Sequence, residues 1–467
     1  MDAPTTSHIL WPALPHKGTR LSLPSTLTSL SSFSVYSLAR KSILAALEDC
    51  IVIGSLVVED AGNTYRFGDC SIGQTPVHLK VINPSFWTQV LKAGDLGFSE
   101  AYMNGDVQVN SLRDVMNLWL DNESGMNGLS SVFVRVSSLL SGISNALFGQ
   151  SLAMSRLNVI ASYDQSNNLF EAFLSRDMMY SCALWTEAEG GPRGDLQTRE
   201  RSTEDDLETA QIRKIHHVLD KARLRPGYRV LEFGSGWGSL AIEAARCYGC
   251  RVDTITLSAE QKKLAERRIK DAGLEDKITV HLQDYRELPP EFEKQFDSFI
   301  SIEMLEHVGS KYYQTYFKIV DWALKSSDAT IVISSSTFPE SRYTGYQAQD
   351  FMRKYMWPNS CLPSATVLID AAYSGSQGRF TLDSVENHSA HYPRTLREWD
   401  RRLNQNLTPD TLASDYPLLK ADPKAFDAFR RKWQYLFAYA GAGFAKGYIT
   451  CHMLSFIRHC DAPESCD

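Results

Sequence analysis

No stretch of this chain holds the ~18 consecutive apolar residues that a membrane-spanning helix requires. The most apolar run, Ile43 to Val58, is broken by Glu48 and Asp49. The first residues show no basic leader followed by an apolar core, so no secretory signal is expected; Lys17 and Arg20 are the only Lys or Arg before Arg40. An excess of positive charge is also lacking. A net charge of −7 argues against nucleic acid as the main partner, because phosphate binding needs a basic footprint. A membrane surface is not excluded, since a local basic or apolar patch suffices there. The nine cysteines are odd in number and scattered, which is no disulfide framework and points to a reduced, cytoplasmic chain. Cys247-Tyr248-Gly249-Cys250 has no second pair at zinc spacing and falls where a helix hands over to a strand. His307, His388 and His391 belong to no HExxH, so no metal is expected.

At 467 residues, with 43% hydrophobic and 22% charged residues, the chain has the composition of a soluble globular protein of two folded units. The expected fold class is α/β: a Rossmann-like doubly wound sheet with helical insertions, plus a smaller N-terminal α+β domain. Residues 1–35, rich in Ser, Thr and Pro, are expected to be a disordered lead-in. Residues 36–125 are expected to be an N-terminal domain of lipid-binding type. Its signals are Leu56-Val57-Val58 and Thr64-Tyr65-Arg66-Phe67 around the turn Ala61-Gly62-Asn63. A strand at Val77–Ile82, a helix carrying Phe86, Trp87, Val90 and Leu91, a short helix within Asp95–Asp106 and a helix at Ser111–Asn122 follow. Residues 126–160 read as a helical linker, 161–460 as the catalytic domain and 461–467 as a tail. In that larger unit Ser202-Thr203-Glu204-Asp205 opens a helix. Strand-like runs at Arg229–Phe233, Val252–Leu257, Ile278–Leu282, Ser298–Ile302 and Thr330–Ser334 then alternate with helices. Such alternation implies an open, mostly parallel sheet covered on both faces.

Chemistry enters at Val230-Leu231-Glu232-Phe233-Gly234-Ser235-Gly236-Trp237-Gly238, a buried strand running into a glycine turn and a helix. A dinucleotide fingerprint would place its third Gly at 239, which is Ser239, and an acidic residue at the end of the second strand, which closes Thr256-Leu257-Ser258. The nicotinamide reading is therefore disfavoured. A methyltransferase loop, anchored by a carboxylate such as Glu232, fits better.

This loop is followed by Thr256-Leu257-Ser258-Ala259-Glu260-Gln261, then Gln283-Asp284-Tyr285, then Glu303-Met304-Leu305-Glu306-His307-Val308-Gly309. Upstream stand Ser162-Tyr163-Asp164-Gln165 and Met179-Tyr180-Ser181-Cys182-Ala183-Leu184-Trp185. Downstream come Tyr355-Met356-Trp357-Pro358, Glu386-Asn387-His388-Ser389-Ala390-His391-Tyr392, Lys432-Trp433 and Ala442-Gly443-Phe444. Over residues 40–460 the series resembles the cyclopropane fatty acid synthases and mycolic acid methyltransferases. The resemblance implies S-adenosylmethionine held by Tyr180, Ser181, Glu232, Gly234, Gly236, Gly238, Thr256, Leu257, Gln261, Asp284 and Tyr285. It implies a reaction centre of Cys182, Glu306 and Tyr392 around a bound bicarbonate that acts as base. Bacterial members carry His-Thr-Ile where this chain carries Ser334-Ser335-Ser336, so Ser334 and Ser336 take the remaining anion positions. A serine hydroxyl can still hydrogen-bond an anion but carries no charge.

The implied reaction is methyl transfer to the double bond of an unsaturated phospholipid acyl chain, with ring closure to a cyclopropane. The alternative is a C-methyltransferase that leaves a methyl branch on a sphingolipid, sterol or other alkene. A non-catalytic lipid-binding protein is the third reading. The resemblance further suggests a homodimer at a peripheral membrane surface.

Overall fold

A computed structural model describes residues 25–69, 75–126, 166–197 and 206–458. Residues 127–160 of the expected linker, the Ser162–Gln165 motif, the helix start Ser202–Asp205 and the expected tail 461–467 lie outside them.

Helix α1 (Ser25–Cys50) begins inside the stretch read as a lead-in. It starts directly after Pro24 and contains neither Pro nor Gly, the two residues that interrupt helices most strongly. Its buried residues Ala39, Ile43 and Leu47 recur every fourth position, so one face packs inward. The hairpin then forms as its turn residues dictate: β1 (Ser55–Asp60) pairs antiparallel with β2 (Asn63–Gly68). Strand β3 (Val77–Val81) lies parallel to β1, and β4 (Val107–Val109), a strand the sequence pattern does not suggest, pairs with β3. The two helices expected after β3 stand end to end within α2 (Ser85–Asn104), divided by a kink where the backbone leaves helical geometry. Gly94, at φ 54° and ψ −127°, makes the kink, and Gly105 in the left-handed region ends it.

The small sheet does not close its own core. Phe98 of α2 sits edge-on to Phe86 and Trp119 and against Tyr435, which lies on the C-terminal helix Pro423–Ala445. Helix α3 (Leu112–Asp121) packs on that same helix.

From Asp206 onward the strands alternate with helices as expected. The seven-stranded order is β10-β11-β9-β8-β5-β6-β7, where β5 is Arg229–Phe233, β6 Arg251–Thr256, β7 Ile278–Leu282, β8 Ser298–Ile302 and β9 Thr330–Thr337. These five are parallel. Strands β10 (Phe380–Asn387) and β11 (Thr450–Arg458) add an antiparallel edge. Strand β9 runs three residues past Ser334 because β11 pairs with it as far as Thr337. Leu231 and Phe233 point into one apolar layer with Phe299 and Tyr316, while Val230 faces the other with Ile215 and Val218. Both faces are thus covered, and the carboxyl ends of the parallel strands are left for a ligand.

Replacing Phe98 by Ala removes one of the rings that join the two units. It is expected to destabilise the chain by about 3–5 kcal/mol, read as a lowered urea midpoint.

Candidate active site

Strand β5 carries Glu232 to its end, where Gly234, Gly236 and Gly238 all take positive φ and turn the chain sharply into helix α4 (Ser239–Cys247). Arg268 pins this turn by donating to the carbonyl oxygens of Trp237 (2.8 Å) and Asp177 (3.1 Å). The Trp237 indole donates to Asn167 Oδ1 at 2.8 Å. A cavity opens above the turn. Of the eleven residues expected to hold a cofactor, ten line it: Tyr180, Ser181, Glu232, Gly234, Gly236, Thr256, Leu257, Gln261, Asp284 and Tyr285. Gly238 does not. It caps helix α4, where a Cβ would come 3.3 Å from that of Ala265.

Polar groups at this wall are held in place from behind. Thr256 Oγ1 donates to Gln261 Oε1 at 2.9 Å. Asp284 accepts from Arg286 Nε (2.8 Å) and its terminal nitrogen (2.7 Å). Glu232 differs. Its Oε2 is buried with no hydrogen-bond partner, and burial pushes its carboxyl up to about 7. An orphaned carboxylate oxygen on a glycine-lined cavity suits a ligand bearing N–H groups or positive charge, as S-adenosylmethionine does.

The expected reaction centre adjoins this cavity, and a residue the motif reading gave no role joins the two. Glu303 lines the cavity and follows β8 at φ 52°, in the left-handed region that side chains seldom adopt. The Cys182 backbone N–H donates to its Oε1 at 2.9 Å, and the Tyr392 hydroxyl donates to its Oε2 at 2.5 Å. Glu306 lies three residues on, in the short 3₁₀ helix Leu305–His307. Its Oε1 accepts from the Ser336 N–H at 2.5 Å, while its Oε2 is buried without a partner. Burial, then the Glu303 carboxylate, push Glu306 up to about 8. Burial raises Glu303 as well, opposed by the Tyr392 hydroxyl, the Cys182 N–H and the Lys214 ammonium. Ser334 contributes its carbonyl, which accepts from the Glu303 N–H at 2.8 Å; its hydroxyl lies 4.0 Å from the Cys451 thiol.

Lys214 and Cys451 were not anticipated either. Lys214 sits on the buried face of helix Asp206–Lys221 between Ala210 and Val218 and donates to Ser181 Oγ at 2.5 Å. Burial lowers its ammonium to about 8. A lysine at a core-facing helical position was the available signal. For Glu303 it was a second carboxylate three residues before Glu306 in an otherwise apolar run.

Aromatic side chains enclose the centre. Tyr392 stacks on Phe444 at 4.2 Å, and Tyr180 packs against Phe170, Phe173 and Trp399. The histidines separate. His391 Nδ1 accepts from the Trp185 N–H at 3.0 Å, His307 lines the cofactor cavity, and His388 joins His217 on Glu386. Lys221 also binds Glu386 at 2.5 Å, which places a cation where a metal would compete.

Strand order, glycine turn and cavity define the class: this is an S-adenosylmethionine-dependent methyltransferase. Residues 150–454 match the family described as mycolic acid cyclopropane synthetase. The chain is 32% identical to the cyclopropane-fatty-acyl-phospholipid synthase of Escherichia coli, across 80% of this chain and 85% of that protein. It is also 32% identical to the tuberculostearic acid methyltransferase of Mycobacterium tuberculosis, across 78% and 79%. The cyclopropane synthase structure from Mycobacterium tuberculosis shares the fold with a TM-score of 0.53 at 21% identity, covering 64% of this chain and 97% of that one. The chain belongs to the mycolic acid cyclopropane synthetase family.

Glu306 keeps its proton in the folded chain, whereas an unfolded carboxyl loses it near 4.5. Its contribution to stability is therefore present below pH 4.5 and lost as pH rises toward about 8. Glu306→Gln removes that dependence. Urea unfolding across this window should show the variant gaining on the wild type as pH rises.

Proposed function

We propose that the protein transfers a methyl group from S-adenosylmethionine to the double bond of an unsaturated acyl chain esterified in a phospholipid, and closes the product to a cyclopropane. The observation that carries this reading is the meeting of the cofactor cavity with a buried, aromatic-walled polar cluster at Glu303. Bound S-adenosylmethionine supplies an electrophilic methyl group on a sulfonium. An alkene is a weak nucleophile, so the chain's part is to hold the reacting carbon in line and keep water away.

Methyl addition leaves positive charge on the adjacent alkene carbon. The faces of Tyr392 and Phe444 and the Glu303 carboxylate can stabilise that charge. The Cys182 N–H and the Tyr392 hydroxyl keep Glu303 fixed while this happens. Presentation at a membrane surface fits the exposed Leu38, Val52 and Ile53, which give the N-terminal unit apolar side chains to insert among lipids.

A second reading is favoured by a specific observation. The chain is as similar to a relative named a methyltransferase as to one named a cyclopropane synthase, and Ser334 has no basic side chain to offer an anion. In that reading the cation loses a proton elsewhere and a methyl branch remains. S-adenosylmethionine carrying a trideuterated methyl group separates the two. The cyclopropane reading expects two deuterons in the lipid product by mass spectrometry, because ring closure removes one. Retention of all three would establish the methyl branch instead.

A further inference from the structure

The groups that the resemblance assigns to bicarbonate are already engaged by the chain itself. The Tyr392 hydroxyl and the Cys182 N–H both donate to Glu303, and the Ser336 N–H donates to Glu306. The Ser334 hydroxyl faces the Cys451 thiol at 4.0 Å, a neutral partner with no charge to attract an anion. Two buried carboxyl groups, Glu303 and Glu306, already stand together here, and a further anion would meet the charge of whichever is ionised. These residues do not fit a bound bicarbonate.

We propose that the carboxylate of Glu303 takes the place of that anion and is the base that closes the ring. The assignment rests on the cyclopropane reading and deepens it. Glu303 is the one residue that both lines the cofactor cavity and accepts from Cys182 and Tyr392. Its backbone is held in the left-handed region at φ 52°, with its N–H on the Ser334 carbonyl at 2.8 Å. Such conformations persist where the surrounding structure over-determines them, and here the result is a carboxylate aimed into the site. Two donors and the Lys214 ammonium favour its ionised form, while burial raises its basicity above that of an ordinary glutamate. Glu306, whose Oε2 is buried without a partner and which burial and the neighbouring Glu303 carboxylate push up, is the member of the pair that keeps its proton.

The step balances without an external base. The alkene π pair forms the bond to the methyl carbon as the C–S bond breaks, and that bond's electron pair stays on sulfur. The neighbouring alkene carbon is left cationic. Glu303 then takes a proton from the new methyl group, and the electrons of that C–H bond form the third ring bond to the cation. The proton rests on Glu303 until product leaves and solvent reclaims it.

The test uses the full chain with vesicles of unsaturated phospholipid and trideuterated S-adenosylmethionine, in buffer freed of carbon dioxide. The wild type should form the two-deuteron cyclopropane at a rate that added bicarbonate does not change. Glu303→Gln should lower ring formation by about 10²–10⁴-fold and shift the residual product toward the three-deuteron methyl branch, a partition that a merely structural role would not move. Glu303→Gly guards against a folding failure, because glycine suits this backbone. It should show the same loss and recover ring formation when bicarbonate or formate is supplied. A wild type that needs bicarbonate, or either variant closing the ring at the wild-type rate without it, overturns the assignment alone. A three-deuteron wild-type product overturns the cyclopropane reading and the assignment with it.

Discussion

The site is organised around a buried carboxylate whose two oxygens each accept from a different part of the chain. Cys182 stands before the sheet begins, Glu303 follows its fourth strand in sequence and Tyr392 opens a helix beyond its sixth. None is near another in sequence, and Glu303 is where they converge. A carboxylate out of water is costly unless its lone pairs are filled. The geometry that fills them therefore also fixes the Cys182 segment and the Tyr392 helix start against the sheet. Supporting bonds spread outward from there. The Ala183 N–H donates to Thr395, the Trp185 N–H to His391, and Arg394 lies 4.0 Å over the Trp185 ring.

The cofactor side depends on a different constraint. Parallel strands place their carboxyl ends together, and in the positive-φ turn after β5 Gly234 and Gly236 bring bare backbone up to the cavity. Burial gives the two halves their electrostatic character. Glu232 and Glu306 are raised, and Lys214 is lowered, by the same loss of water.

Much of this was legible in the residues. The alternation of strand-like runs with helices revealed the sheet, and the resemblance of the motifs carrying Gly234, Gly236, Thr256, Gln261 and Asp284 to the synthase family pointed to residues that line the cavity. Strands β10 and β11 were not legible. In β10 only Phe380 is buried, so its apolar signal is slight, and an antiparallel edge is set by pairing across 60 or more residues. The two helices within α2, divided at Gly94, were legible as two. The part of the site that sequence could not reveal is the orientation of side chains: nothing in the run from Glu303 to Gly309 says that Glu303 rather than Glu306 receives Tyr392. That choice is made by a left-handed backbone position, a tertiary property.

The central claim is that Glu303 and Tyr392 work as one unit in closing the ring. A double-mutant cycle on the rate of ring formation, comparing Glu303→Gln, Tyr392→Phe and the two together, measures it most directly. If the hydroxyl acts only through the carboxylate, the double variant will close the ring no more slowly than the slower single variant. Losses that multiply independently would contradict the account.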